Sequence, residues 1–115
     1  MSKLTIWHNP RCSKSREALN LLEESGKEFE IVKYLDENPS RETLEAVLKK
    51  MSLRPREIMR TKEAIYKELD LKNEDDDTKL IEAMLTNPKL IERPIIIKDD
   101  SAIIARPPSL TTEFI

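Results

Sequence analysis

The sequence is poor in the residues that build disulfides and metal sites. It contains one cysteine, Cys12, and one histidine, His8, among 115 residues. One cysteine cannot form an internal disulfide, which agrees with a reducing compartment. One cysteine and one histidine also fall short of the three or four ligands that a protein zinc site requires. We therefore expect no metal site.

Long apolar runs and a charge excess are also absent. No segment approaches the roughly 18 apolar residues of a membrane-spanning helix, and Met1-Ser2-Lys3 leads directly into a strand-like segment without an apolar leader. The chain has 20 basic and 22 acidic residues and a formal charge of −2, so no basic bias indicates nucleic-acid binding. We expect one cytoplasmic domain, 1–115, that binds neither nucleic acid nor membranes.

Hydrophobic periodicity predicts alternating strands and helices. Segments 4–7 and 29–34 are predicted strands that flank a helix from Ser13 to the single glycine, Gly26. A crossover of this length implies parallel strands with a right-handed connection. The further predictions are a helix beginning at Pro39-Ser40, helical pieces over 55–71, an acidic loop over 73–77, a helix over 78–85, a hairpin of strands 94–97 and 102–105, and a short helix over 108–114. This order is that of an α/β, thioredoxin-like fold with a helical insertion between its β-α-β and β-β-α parts.

Cys12 lies at the predicted strand-to-helix turn and is the candidate nucleophile. The backbone N–H groups of residues 13–16 are expected to be unpaired donors in the first helical turn, and Arg11, Lys14 and Arg16 add positive charge around the sulfur. Both effects favour the thiolate, which is the reactive form. A lone cysteine is most often an inert core residue, but the charged neighbours of Cys12 favour the catalytic interpretation.

Three arginines distant from Cys12 in the sequence predict an anion site. Arg60 lies in the helical block, Arg93 precedes Pro94 before the third strand, and Arg106 follows the fourth strand. In a thioredoxin-like sheet the loop before the third strand lies beside the nucleophile, so we expect Arg93 near the sulfur and a cis Arg93-Pro94 bond. A guanidinium group can bind two oxygens of one tetrahedral anion. The three arginines therefore predict an oxyanion pocket.

The remaining arginines and His8 give less specific predictions. Among the remaining arginines, Arg41, Arg54 and Arg56 are expected to be solvated at the surface. His8 stands four residues before Cys12. A lone histidine is more often structural than catalytic, so His8 is expected either to organise the loop or to pair with the thiolate.

Four segments together match one known family. They are His8-Asn9-Pro10-Arg11-Cys12-Ser13-Lys14-Ser15-Arg16, the region of Arg60, Glu92-Arg93-Pro94-Ile95 and Ala105-Arg106-Pro107-Pro108. This set resembles the glutaredoxin-coupled arsenate reductases, also called the ArsC-like family, over essentially the whole chain. It looks most like a short branch that ends soon after the Arg-Pro-Pro segment and lacks the additional C-terminal stretch of other members.

The resemblance implies a role for each matching residue. It implies a thioredoxin-like fold, Cys12 as the active cysteine, and Arg60, Arg93 and Arg106 as the anion-binding arginines. It further implies that His8 and Ser15 help to lower the pKa of the thiol. It implies no bound cofactor.

The implied reaction is the reduction of arsenate to arsenite. The Cys12 thiolate is expected to attack arsenic and form a covalent adduct. Ser15 occupies the position of the second cysteine in a Cys-x-x-Cys pair, so the two electrons must come from outside, through glutathione and then glutaredoxin.

Two other classes remain open. Spx-type regulators share the fold and bind RNA polymerase, but those that sense oxidation use Cys-x-x-Cys, so Ser15 leaves only a non-catalytic protein-binding role. A monothiol glutaredoxin-like oxidoreductase is the second alternative, although its glutathione site does not obviously need Arg60, Arg93 and Arg106 together.

Overall fold

The computed structural model describes residues 4–115, which form two compact units. The first unit consists of the chain as far as Glu37 together with Arg93–Ile115, and the second consists of Asn38–Glu92. The expectation that no apolar leader precedes the first strand concerns residues 1–3, which lie outside the described residues. The single domain over 1–115 stays a prediction.

The first unit contains a four-stranded mixed sheet in the order β2-β1-β3-β4. Strand β1 is parallel to β2 and antiparallel to β3, and β3 is antiparallel to β4. The parallel β1-α1-β2 crossover confirms the predicted opening of the fold. The elements are β1 (Leu4–Trp7), α1 (Ser13–Glu24), β2 (Phe29–Val32), β3 (Ile95–Lys98), β4 (Ser101–Ile104) and α5 (Leu110–Phe114).

Helix α1 packs on the sheet because its apolar residues lie on one face. Ala18 and Leu22 are fully buried and join a cluster with Leu4 and Ile6, which are alternate residues of β1 and so point to the same side of the sheet. Gly26 follows the helix with φ of +73°. Glycine takes this left-handed conformation without a steric penalty, which explains the position of the helix end.

The second unit is the helical insertion. Its helices are α2 (Arg41–Met51), α3 (Ala64–Glu68) and α4 (Asp77–Thr86), with short 3-10 segments at Pro55–Ile58, Leu71–Asn73 and Pro88–Leu90. The side chain of Ser40 accepts the N–H of Thr43 to cap α2, and that of Asp76 accepts the N–H of Thr78 to cap α4. The apolar faces of α2 and α4 are buried within this unit at Leu44, Val47, Leu48, Leu80, Ile81 and Met84.

Together these elements confirm the α/β, thioredoxin-like class with a helical insertion. The hairpin is also confirmed, with Asp99 and Asp100 forming the turn between β3 and β4. Within residues 4–115, no helix has both the length and the apolar character needed to cross a membrane.

One expectation about the second unit is wrong. Arg56 is not a solvated surface residue, because its guanidinium group donates to the hydroxyl of Tyr66 at 2.6 Å, to the carbonyl of Leu71 at 3.0 Å and to the carbonyl of Glu74. Arg54 is solvent-exposed as expected, with 74% of its side chain accessible and a salt bridge to Asp77. Arg56 therefore joins α3 to the segment that follows it, whereas Arg54 lies on the surface.

Candidate active site

The loop between β1 and α1 places Cys12 at the start of the helix. Cys12 is the N-cap residue in extended conformation and is 8% exposed. Its N–H donates to the carbonyl of Asn9 at 3.0 Å, and its carbonyl accepts the N–H of Arg16 at 3.0 Å. The expectation that the N–H of Arg16 is unpaired is therefore wrong. The thiol faces the N–H groups of Lys14 and Ser15 instead.

The environment of Cys12 lowers the pKa of its thiol. Burial is the largest single influence and acts to raise the pKa, because it disfavours the charged thiolate. The N–H of Ser15, the charge and hydrogen bond of Arg93, and the N–H of Lys14 act in the opposite direction and together prevail. The thiolate is thus more abundant near neutral pH than in an ordinary cysteine.

Two of the three predicted arginines face the sulfur from the other end of the chain. Nη2 of Arg106 lies 4.0 Å from Sγ of Cys12, and Nε of Arg106 donates to the carbonyl of Arg93 at 2.8 Å. Arg93 interacts with the sulfur through both its charge and a hydrogen bond. The Arg93–Pro94 peptide bond is cis, as expected, and Arg106–Pro107 is cis as well, which the sequence did not indicate.

Arg93 carries donors that the protein itself does not use. Its Nε and Nη1 atoms are buried and have no hydrogen-bond partner among the residues that the structure describes. Buried donors are costly when they are unpaired, and a charged group is more costly still. An anion next to the Cys12 sulfur would supply the missing acceptors.

Arg60 belongs to the second unit. Its Nη2 lies 3.5 Å from Oε1 of Glu63 and its Nε lies 3.7 Å from Oε1 of Glu92, with 25% of the Arg60 side chain exposed. Its positive charge is therefore shared with two carboxylates. The structure brings Arg93 and Arg106 together with Cys12, while the role of Arg60 in the oxyanion pocket stays a prediction.

His8 and Ser15 join the loop to the helix. Nδ1 of His8 is 2.7 Å from Oγ of Ser15, which also accepts the N–H of Asn9 at 3.0 Å. Because Oγ accepts from Asn9, its own proton is available for Nδ1. Burial, followed by the charges of Lys33 and Arg16, lowers the pKa of His8. Its imidazole is therefore neutral near pH 7.

The remaining predicted residue, Arg16, acts on the loop. Its Nη1 donates to the carbonyl of Pro10 at 2.9 Å, and its side chain is exposed. This hydrogen bond holds the loop against the first turn of α1. The expected effect of the Arg16 charge on the sulfur stays a prediction.

Asn9 is a positioning residue that the sequence interpretation missed. Its carbonyl accepts the N–H of Cys12, and its Oδ1 accepts the N–H of Arg11 at 3.0 Å. The Asn9-Pro10 step was a visible signal, because asparagine side chains commonly bond to backbone N–H groups two residues ahead in turns. Asn9 thus sets the direction in which the chain enters Cys12.

The described residues contain no group of three or more histidine, cysteine, aspartate or glutamate side chains able to hold a metal ion. The site that they do form has one activated cysteine and two arginines at the end of a thioredoxin-like sheet. It places the protein in the thioredoxin-like class, with a thiol-based candidate site.

Comparisons with known proteins identify the family within this class. The model of the ArsC family matches residues 7–114. An arsenate reductase from Neisseria meningitidis serogroup A is 46% identical over 109 residues, with 93% of each chain covered. Protein YfgD of Escherichia coli K12, described as uncharacterized, is 48% identical over 115 residues, which cover 98% of this chain and 97% of that protein. The solved structure of an arsenate reductase from Vibrio cholerae superposes with a TM-score of 0.94 at 43% identity, with 98% of both chains covered. The chain belongs to the ArsC family.

Proposed function

We propose that this protein reduces arsenate to arsenite through a covalent adduct on Cys12, with glutathione and glutaredoxin as the external reductants. The observation that carries the proposal is the pairing of an activated thiol with buried, unpartnered guanidinium donors of Arg93. The names of its relatives from Neisseria meningitidis and Vibrio cholerae support arsenate as the substrate.

Binding of the anion is the first proposed step. Arsenate is a tetrahedral oxyanion, and the planar guanidinium groups of Arg93 and Arg106 offer it paired N–H donors. The N–H groups of Lys14 and Ser15 lie at the positive end of the α1 dipole, which also favours negative charge. We include Arg60 as a third anion-binding arginine on the strength of the family motif.

The covalent step follows from the chemistry of the thiolate. The Cys12 sulfur donates an electron pair to arsenic, an S–As bond forms, and one As–O bond breaks. The departing oxygen takes up protons and leaves as water. Arsenic remains in the +5 state during this step, and the arginines neutralise charge that develops on its remaining oxygens.

Reduction requires thiols from outside the chain. Cys12 is the only cysteine, and Ser15 stands where a resolving cysteine would be. Two external thiols are therefore oxidised to one disulfide while arsenic gains two electrons and is released as arsenite. Overall, arsenic acid and two thiols give arsenous acid, one disulfide and one water. A reducing compartment such as the cytoplasm would supply these thiols.

The test is a coupled assay with purified protein, glutathione, glutaredoxin, glutathione reductase and NADPH. NADPH should be consumed only when arsenate is present, and mass spectrometry should detect an arsenic adduct on the peptide that contains Cys12. The matched control is Cys12→Ser, which should show neither signal with unchanged helix content. A correctly folded wild-type protein without arsenate-dependent turnover would refute the proposal, and reduction of glutathione mixed disulfides alone would indicate the monothiol oxidoreductase instead.

A further inference from the structure

A groove of about 320 Å³ lies beside the Cys12 loop in the first unit. One wall is formed by residues of the loop that precedes Cys12, including Pro10 and Arg11, and the other by Lys33, Leu35 and Asp36 after β2. This volume falls at the lower end of the range for small-molecule sites, about 300–1,000 Å³. The groove suits a ligand the size of a short peptide better than a protein surface.

The groove carries a particular pattern of charge. The side chains of Arg11 and Lys33 are exposed and form no hydrogen bond or ion pair with the residues that the structure describes. On the second wall, Asp36 adds one carboxylate and Leu35, which is 37% exposed, adds an apolar surface. The groove thus offers two cations, one anion and one apolar side chain.

We propose that glutathione binds in this groove, with its two carboxylates at Arg11 and Lys33 and its α-ammonium group at Asp36. Glutathione carries two carboxylates and one ammonium group at neutral pH, which is the charge complement of the groove. The assignment rests on the proposed function, because it identifies where the reductant binds.

The reach of the ligand agrees with this placement. An extended tripeptide spans about 10 Å, at 3.3–3.6 Å per residue, and the thiol of glutathione is on its central residue. Arg11 is the chain neighbour of Cys12, so adjacent Cα atoms are about 3.8 Å apart. A glutathione with one end at Arg11 therefore has its central cysteine about one residue length from the side chain that directly precedes Cys12 in the chain.

Direct binding tests the groove without any arsenate chemistry. The probe is S-methylglutathione, whose blocked sulfur cannot react, and the readout is titration of the full chain by calorimetry and by amide NMR shifts. We expect saturable shifts at residues of the groove. The charge-neutral double variant Arg11→Gln/Lys33→Gln should bind about tenfold more weakly or worse, because it loses two charge-assisted contacts. Asp36→Asn should weaken binding of S-methylglutathione but not of its analogue that lacks the γ-glutamyl group.

Lys79→Gln is the matched control, since Lys79 is an exposed lysine on α4 of the second unit. It should leave binding of the probe unchanged. Absence of probe binding by the wild type, or equal binding by the wild type and the double variant, would overturn the assignment. The assignment would also be overturned if the double variant raised only the KM for glutaredoxin, because the groove would then bind a protein partner.

Arsenate turnover distinguishes the two proposals. If the wild type reduces arsenate but Lys33→Gln leaves the KM for glutathione unchanged, the groove assignment fails and the proposed function stands. If S-methylglutathione binds and the charge variants abolish binding while arsenate is not reduced, the groove assignment stands and the proposed function fails.

Discussion

Arg106 contacts both Cys12 and Arg93. Its Nη2 is 4.0 Å from Sγ of Cys12, while its Nε donates to the carbonyl of Arg93 at 2.8 Å. One guanidinium group therefore holds the loop that carries Arg93 and lies beside the sulfur. Because this link joins residues 94 apart in the sequence, the proposed anion site depends on the folded first unit.

Replacement of Arg93 by alanine should impair anion binding more than replacement of a surface arginine. Arg93→Ala removes the buried Nε and Nη1 donors and one charge beside the thiol. We expect kcat/KM for arsenate to fall by about 10²–10³, the usual cost of one oxyanion donor. Steady-state kinetics with varied arsenate measure the change.

Arg41→Ala is the control for this substitution. Arg41 pairs with Glu82 and Glu45 on the surface of the second unit, and exposed ion pairs contribute little. Equal losses in the two variants would contradict the assignment of Arg93 to the anion site.

The rate of alkylation of Cys12 should report its lowered pKa. Iodoacetamide reacts with the thiolate, so the rate should rise with pH and reach half its maximum below 9.0, the ordinary value for the thiol. Arg93→Ala should move the midpoint upward, because the charge of Arg93 lowers the pKa of Cys12. A midpoint at the ordinary value in the wild type, or one that Arg93→Ala does not change, would contradict the electrostatic account.

Arg56→Ala should destabilise the second unit. The substitution leaves the hydroxyl of Tyr66 and the carbonyls of Leu71 and Glu74 without their shared donor. Loss of a charged hydrogen-bond partner costs about 1.5–3 kcal/mol, which urea unfolding followed by circular dichroism measures. Arg54→Ala is the neighbouring control and should change the unfolding midpoint little, so equal midpoints in the two variants would argue against a structural role of Arg56.

The contrast between Arg54 and Arg56 shows where sequence interpretation ends. Helix α1 and the β3–β4 hairpin follow from local patterns, namely apolar periodicity, a terminal glycine and a turn between two isoleucine-rich segments. The partners of Arg56 lie 10 to 18 residues further along, the first in α3 and the others in the segment that follows it. No local pattern distinguishes such an arginine from a solvated one.

In the candidate site, too, some features follow from the sequence and others do not. The position of Cys12 at a helix start and the delivery of Arg93 by the loop before β3 both follow from element order. The side chain of Arg16 does not, because its hydrogen bond to the Pro10 carbonyl depends on how the loop turns. Likewise, the cis Arg106–Pro107 bond has no local signal, since only about 5–6% of such bonds are cis in folded proteins.

Ser15→Ala should destabilise the loop while leaving much of the thiol activation in place. The substitution removes the fully buried hydroxyl that joins His8 to the N–H of Asn9. Nδ1 of the buried His8 and the N–H of the half-buried Asn9 then lack this partner. An unpaired buried polar group costs about 1–3 kcal/mol. The backbone N–H of Ser15 that lowers the pKa of Cys12 is retained, so the alkylation midpoint should move less than in Arg93→Ala.

Ser13→Ala is the control for Ser15→Ala, because Ser13 is exposed on the same helical turn. Its unfolding free energy should match that of the wild type. A Ser15→Ala variant as stable as Ser13→Ala would show that the buried hydrogen bonds contribute nothing.

The lowered pKa of His8 should make stability depend on pH below about 6.5, its ordinary pKa. Above that pH the imidazole is neutral in both the folded and unfolded states, so it adds no pH dependence. Below it the unfolded chain takes up a proton that the folded protein excludes, so the free energy of unfolding falls as pH falls toward the lowered folded-state pKa. One proton gives a slope of at most about 1.4 kcal/mol per pH unit.

His8→Gln isolates this dependence from the titration of the many carboxylates. Urea unfolding of the wild type and the variant at several pH values between about 5 and 7.5 gives the difference in unfolding free energy. Above the ordinary pKa of histidine, this difference should not change with pH. Below that pKa, the wild type should lose stability relative to His8→Gln, because only the wild type can protonate residue 8. A difference that is the same at every pH would mean that His8 protonates equally in the folded and unfolded chains. That result would contradict the assignment of a neutral imidazole to His8 beside Ser15.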